Sequence, residues 1–161
     1  MITLAKLTAW VLAAAFQISG NTTHMPDKLA NGIATMSMAY PLFGGEDGEL
    51  RTASVLVDFA WHESGFNNHL IGNEADGGHS YGAFMIRNCE PYTCYEIITD
   101  EQKSAFVALK WMARSMHYCD QYPYWFSIYA SGTCSNQAGR NISKTRLKEA
   151  EKLVFDIKLK D

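Results

Sequence analysis

The chain has 161 residues, 47% hydrophobic and 19% charged, with a formal net charge of −3 and a pI near 5.9. That length suits one compact domain around one core, and the acidic balance excludes a partner held mainly through its phosphates, because nucleic-acid binders present a basic face. Aromatic residues reach 12%, including four Trp and eight Tyr, enough to fill a core and leave rings that can stack on flat sugar faces.

In chain order, residues 4–19 form an apolar run with Lys6 near its start and Ala13, Ala14 and Ala15 in its second half. Two readings fit: a signal peptide occupying residues 1–20, or an extra N-terminal helix ending at Gly20. The run is too short for a stable membrane span. Residues 26–40 place Leu29, Ile33, Met36 and Ala39 or Tyr40 at helical spacing with Pro26 in the first turn, and Gly32 weakens that helix. After the loop at 41–49, residues 50–62 carry Ala53, Leu56, Val57, Ala60 and Trp61 on one face and Val55 and Phe59 on the other. A helix that is apolar on both sides is a buried helix.

Between residues 64 and 94 the composition turns to Gly, Asn, Asp and Ser, with short apolar patches at 69–71 and 81–86 that predict loops and short strands around a groove. Helical spacing returns over residues 103–117 through Phe106, Leu109, Met112, Ala113 and Met116. Residues 124–130 fit a short helix or a strand, and 132–141 read as loop. From Ser143 onward, Leu147, Ala150, Leu153 or Val154, and Ile157 mark a last amphipathic helix. The fold class expected is mainly α (α+β), with one catalytic domain over residues 21–161.

The four cysteines, Cys89, Cys94, Cys119 and Cys134, allow three pairings and suit an oxidising compartment. No pair has the two-residue spacing of a zinc ribbon, so no metal site is expected, and nothing points to a cofactor. Glu63 stands where the apolar helix runs out. Partial burial there disfavours its charged form, and a carboxylic acid kept protonated near neutral pH is what cleavage of an acetal between sugars requires.

Three stretches, His62-Glu63-Ser64-Gly65-Phe66, then Gly77-Gly78-His79-Ser80-Tyr81-Gly82-Ala83-Phe84-Met85-Ile86, then Tyr129-Ala130-Ser131-Gly132, resemble in order and spacing the lytic transglycosylase and goose-type lysozyme family. The resemblance runs from about residue 27 to the last helix and leaves residues 1–20 outside. It implies a lysozyme-like domain with a buried catalytic helix and a loop or short β-hairpin lining the groove. It makes Glu63 the acid/base, Ser64 its support, Ser80, Tyr81, Gly82, Phe84 and Met85 the groove floor, and Tyr129 a neighbour of the reacting sugar. Met85 stands where many relatives carry glutamine, so a donor and an acceptor are missing there. Asp76 and Glu74 are the candidates for a second carboxylate, Asp76 by its resemblance to a supporting aspartate of goose-type lysozymes, although Asp before Gly-Gly is also ordinary turn chemistry. Each of the pairs Cys89–Cys94 and Cys119–Cys134 is close in sequence and flanks a loop beside the proposed groove, which makes these the expected disulfides.

The function implied is cleavage of the β-1,4 bond between N-acetylmuramic acid and N-acetylglucosamine in peptidoglycan, by a monomer that is exported to the periplasm or outside the cell, or carried in a phage particle. A hydrolytic muramidase using Glu63 with Asp76 and a non-catalytic wall-binding or virion structural protein remain alternatives. A zinc peptidase is disfavoured because Ser64-Gly65 interrupts the spacing that would bring a second histidine round the helix after His62-Glu63. A Cys/His amidase is disfavoured by the even cysteine count.

Overall fold

The structure is a computed structural model that describes residues 2–72 and 79–158. It is mainly helical, with seven helices among the described residues: α1 (Leu4–Ile18), α2 (Asp27–Ala39), α3 (Gly48–Ser64), α4 (Cys94–Thr99), α5 (Glu101–Tyr118), α6 (Ser127–Ser131) and α7 (Gln137–Asp156). The last four apolar positions expected of α7 lie on it or just beyond, but the helix begins at Gln137, six residues before Ser143 and inside the stretch read as loop.

The centre is α3. Every residue from Thr52 to Ala60 is buried, and the helix packs against α1, α2, α5 and α7, as a run apolar on all sides must. Its polar members are mostly satisfied locally. The Thr52 hydroxyl donates to Gly48 O (2.7 Å) and accepts from the Leu42 amide (2.8 Å), which ties the preceding loop to the first turn.

Residues 4–18 are helical and put Leu7, Trp10, Val11, Ala14 and Ala15 into the core. Those positions recur at three- and four-residue spacing, one stripe of a helix. The Trp10 indole donates to Ile157 O (2.8 Å) and Gln17 Nε2 to the Asp156 carboxylate (3.1 Å), so α1 is fastened to the end of α7 as well as to α2 and α3.

Pro26 caps α2 from outside, one residue earlier than its expected place within the first turn. Gly32 has a steric reason to be glycine, since a Cβ there would meet the backbone of Glu101 and Gln102 at 3.0 Å, where α2 crosses the start of α5. The short helix α4 carries its own start signal: Thr93 Oγ1 accepts the Glu96 amide while the Glu96 carboxylate accepts the Thr93 amide.

Between α3 and α4 the chain makes an irregular antiparallel pairing. Gly72 N donates to Ser80 O (2.7 Å) and Gly82 N to Leu70 O (2.8 Å), and Tyr81 and Ile86 exchange both backbone bonds (3.0 and 2.9 Å). The patches expected as short strands at 69–71 and 81–86 are therefore isolated bridges. Disulfides Cys89–Cys94 and Cys119–Cys134 are both formed, as the nearest-neighbour pairing requires. No helix among the described residues is long and apolar enough to cross a membrane.

Candidate active site

Glu63 is the penultimate residue of α3. Gly65 ends the helix in the left-handed region (φ 61°), and the amides of Gly65 and Phe66 return to Trp61 O and Ala60 O (2.8 and 3.2 Å). Glycine adopts that conformation without the Cβ clash other residues suffer. Phe66 is buried beside the Trp61 ring (centroids 5.3 Å apart), an apolar contact that fixes the direction in which the chain leaves.

The Glu63 side chain is half-buried, and among the described residues no hydrogen bond or ion pair reaches its carboxylate. Burial pushes its pKa up, against the opposing charge of Arg146. Tyr129, on α6, feels its charge: burial first and the Glu63 charge second hold the phenol well above its usual range. The Tyr129 hydroxyl donates to Phe84 O (2.8 Å), and its ring meets Phe59 of α3 edge-on at 5.2 Å.

Ser64 joins α3 to the paired segment. Its hydroxyl lies 2.9 Å from Ala83 O and 3.1 Å from Ala60 O, and it accepts the Asn67 amide at 3.0 Å. Buried Asn68 closes the other side, accepting from Ala83 N (3.3 Å) and donating to Ile97 O (3.0 Å). Gly82 has φ 74°, and a Cβ on it would lie 3.0 Å from Ser104 Oγ and 3.2 Å from Ile97 Cγ2. Both its backbone conformation and its surroundings call for glycine.

Of the residues carried over from the resemblance, Ser64 and Tyr129 therefore hold the 80–86 segment against the end of α3. Ser80, Gly82 and Phe84 are buried, so the Phe84 ring belongs to the core and only its backbone faces the site. Tyr81 and Met85 are half-buried, and Met85 adopts φ 47°. Asp76, with Glu74, Gly77 and Gly78, lies outside the described residues. A cleft of about 280 Å³ is lined by His24, Pro26, Phe66, Asn67, His69 and Glu101, and another of about 100 Å³ by Phe43, Arg51, Leu147 and Glu151; Glu63 lines neither.

A second group of residues, beside Glu63, was not read from the sequence. Asp58 and His62 of α3 meet Arg146 and Glu149 of α7. The His62 Nε2–Glu149 Oε2 distance is 2.9 Å, Arg146 Nε–Asp58 Oδ2 3.6 Å, Arg146 Nη1–Glu149 Oε2 3.7 Å and His62 Nε2–Asp58 Oδ1 3.8 Å. Asp58 is fully buried, and neither of its oxygens, nor Arg146 Nε, has a hydrogen-bond partner among the described residues. Burial, then contact with the Glu149 carboxyl, pushes the Asp58 pKa up to about 9 against the pull of Arg146. Burial, then the Arg146 charge, lowers that of His62 against the pull of Glu149. Donor atoms of Asp58, His62 and Glu149 lie within 4.8 Å of one another, a spacing that could hold an ion. The Arg146 guanidinium already sits against both carboxyls and supplies the positive charge that an ion would bring.

No family model, curated protein or solved structure matches the chain.

Proposed function

We propose that the chain cleaves peptidoglycan glycan strands as a lytic transglycosylase, with Glu63 as its single acid/base and a lysozyme-like arrangement of helices around it. The observation that carries this reading is the environment of Glu63. Its carboxyl stands at the end of a buried helix with its proton favoured by burial, opposite a segment that Ser64 and Tyr129 tie in place. A carboxylate accepting several hydrogen bonds would be a poor proton donor; this one accepts none among the described residues.

In the reaction proposed, protonated Glu63 donates to the glycosidic oxygen leaving the muramic sugar, and the C1–O bond breaks. The sugar's own N-acetyl group stabilises the cationic centre. Glu63, now ionised, takes the proton of the 6-hydroxyl as that oxygen bonds to C1, which regenerates the acid and leaves a 1,6-anhydro end. One carboxyl serves both half-reactions, so no second one is required. A hydrolytic muramidase would need one, commonly paired across the bond. The two disulfides are compatible with an exported protein.

The test is Glu63→Gln assayed on purified peptidoglycan. The amide keeps the shape of the acid but has no proton to give, so turnover falls at least 10²–10⁴-fold, roughly the range for losing a general acid/base. Unchanged turnover would remove the reading.

A further inference from the structure

The loop that leaves α3 turns back onto the 80–86 segment, and buried Asn68 stands where the two meet. Main chain pairs with main chain at one step, where Gly82 N donates to Leu70 O (2.8 Å). At the next residue a side chain takes over: Ala83 N donates to Asn68 Oδ1 (3.3 Å), and Asn68 Nδ2 donates to Ile97 O (3.0 Å). A carboxamide carries an acceptor and a donor on one planar group, so Asn68 continues the pairing and passes it on to α4. Ile97 O is among the last carbonyls of that short helix, which a helix leaves without a partner of its own.

Ala83 is thereby held from both sides. Asn68 accepts from its N–H, and the hydroxyl of Ser64, the residue that follows Glu63, donates to its C=O (2.9 Å). The Tyr129 hydroxyl holds the next carbonyl, Phe84 O (2.8 Å). Ser64 and Tyr129 belong to the stretches that carry the resemblance, whereas Asn68 lies two residues beyond the first of them. An apolar side chain of similar size would fill the same space but leave Ala83 N and Ile97 O, both on fully buried residues, without partners, which is costly. The same amide also confines position 82 to glycine, since a Cβ there would lie 3.3 Å from Asn68 Oδ1.

We infer that Asn68 is a positioning residue for the proposed glycan cleavage: through Ala83 it sets where the 81–85 segment stands relative to the end of α3. The inference rests on Glu63 being the acid of the site. Tyr81 and Met85, on either side of the pinned residues, are only half-buried, so they are the side chains through which this segment can meet a sugar. Asn68 needs no contact with the substrate to matter. A shift of about 1 Å in a group that orients a substrate can cost about 10²-fold in rate.

The test compares the wild type with Asn68→Ala and Asn68→Asp, each at a temperature where circular dichroism shows it fully folded. Turnover of soluble peptidoglycan strands gives kcat and KM, and hydrogen exchange by NMR follows the Ala83 amide. In Asn68→Ala, Ala83 exchanges faster by about tenfold or more while the amides of α7 keep their rates, a local opening. Its kcat falls roughly 10–10²-fold with a smaller change in KM, the pattern of an interaction that counts in the transition state. Asn68→Asp keeps the acceptor and has a donor only when protonated. Its turnover relative to the wild type is therefore near one at the acid end and falls as pH rises through the titration of the introduced carboxyl, which supplies the test should Asn68→Ala fail to fold. A purely structural asparagine would lower Tm and leave kcat of the folded variants at the wild-type value. Full turnover by folded Asn68→Ala, or a flat ratio across pH for folded Asn68→Asp, overturns the inference. If the wild type itself cleaves nothing, the reading of Glu63 fails and takes the role in cleavage with it, whereas faster Ala83 exchange still upholds Asn68 as the tie of this segment.

Discussion

Asp58→Asn separates two descriptions of the buried group through the pH dependence of stability. The folded chain holds the Asp58 proton up to about pH 9, whereas the ordinary value is 3.8. Across that window the folded state binds one proton more than the unfolded state. The stability this residue contributes is therefore fully present below about pH 4 and is lost as pH rises toward 9. One proton corresponds to about 1.4 kcal/mol per pH unit. Between pH 5 and pH 8 the wild type should thus lose about 4 kcal/mol relative to a variant with nothing to titrate at this position. For a domain of this size that is a relative shift in Tm on the order of 10 °C. Thermal unfolding of both proteins at pH 5, 6, 7 and 8 reads it directly: the stability of Asp58→Asn relative to the wild type should rise by about 1.4 kcal/mol with each pH unit. If Asp58 were instead the ionised partner of Arg146, removing its charge would cost roughly 3–5 kcal/mol at every one of these pH values. Parallel curves with the variant below the wild type would refute the reasoning.

Three other substitutions test the frame around Glu63. Gly82→Ala forces a Cβ into a left-handed backbone against Ser104 and Ile97 and should lower stability by about 1–3 kcal/mol, read by chemical denaturation. Tyr129→Phe leaves the Phe84 carbonyl without its 2.8 Å donor; a loss of about 1–3 kcal/mol with reduced glycan cleavage is expected, and an unchanged variant would remove Tyr129 from the account. Met85→Gln at a half-buried position should stay within about 1.5 kcal/mol of the wild type while altering glycan binding, and unfolding would place Met85 in the core.

Much of the helical frame was legible because apolar periodicity is a local signal. The run from Leu50 to His62, apolar on both faces, announced a buried helix, and the spacing of Phe106, Leu109 and Met112 announced α5. The start of α7 was hidden because its first turn is polar and contains Gly139, although Asn136 gives the signal of a cap by accepting the Gly139 amide. The six-residue α4 is too short to show a period; only its Thr93-x-x-Glu96 box marked it. The two disulfides could be read because their partners are 5 and 15 residues apart. Asp58 is a lone charge in an apolar run, a signal that went unread, and its group is completed from α7, with His62 and Glu149 87 residues apart. No spacing rule spans that distance. The burial of Phe84 was missed for a related reason, since a motif says which residues approach a site and not which of their atoms face it.

The central claim is tested most directly by mass spectrometry of the products released from purified peptidoglycan by the wild type and by Glu63→Gln, with thermal unfolding of both run in parallel. The wild type should release 1,6-anhydromuramic ends and the variant almost none, with unfolding temperatures that nearly coincide. Equal release by a folded Glu63→Gln would contradict it, as would wild-type products that all carry water-derived reducing ends.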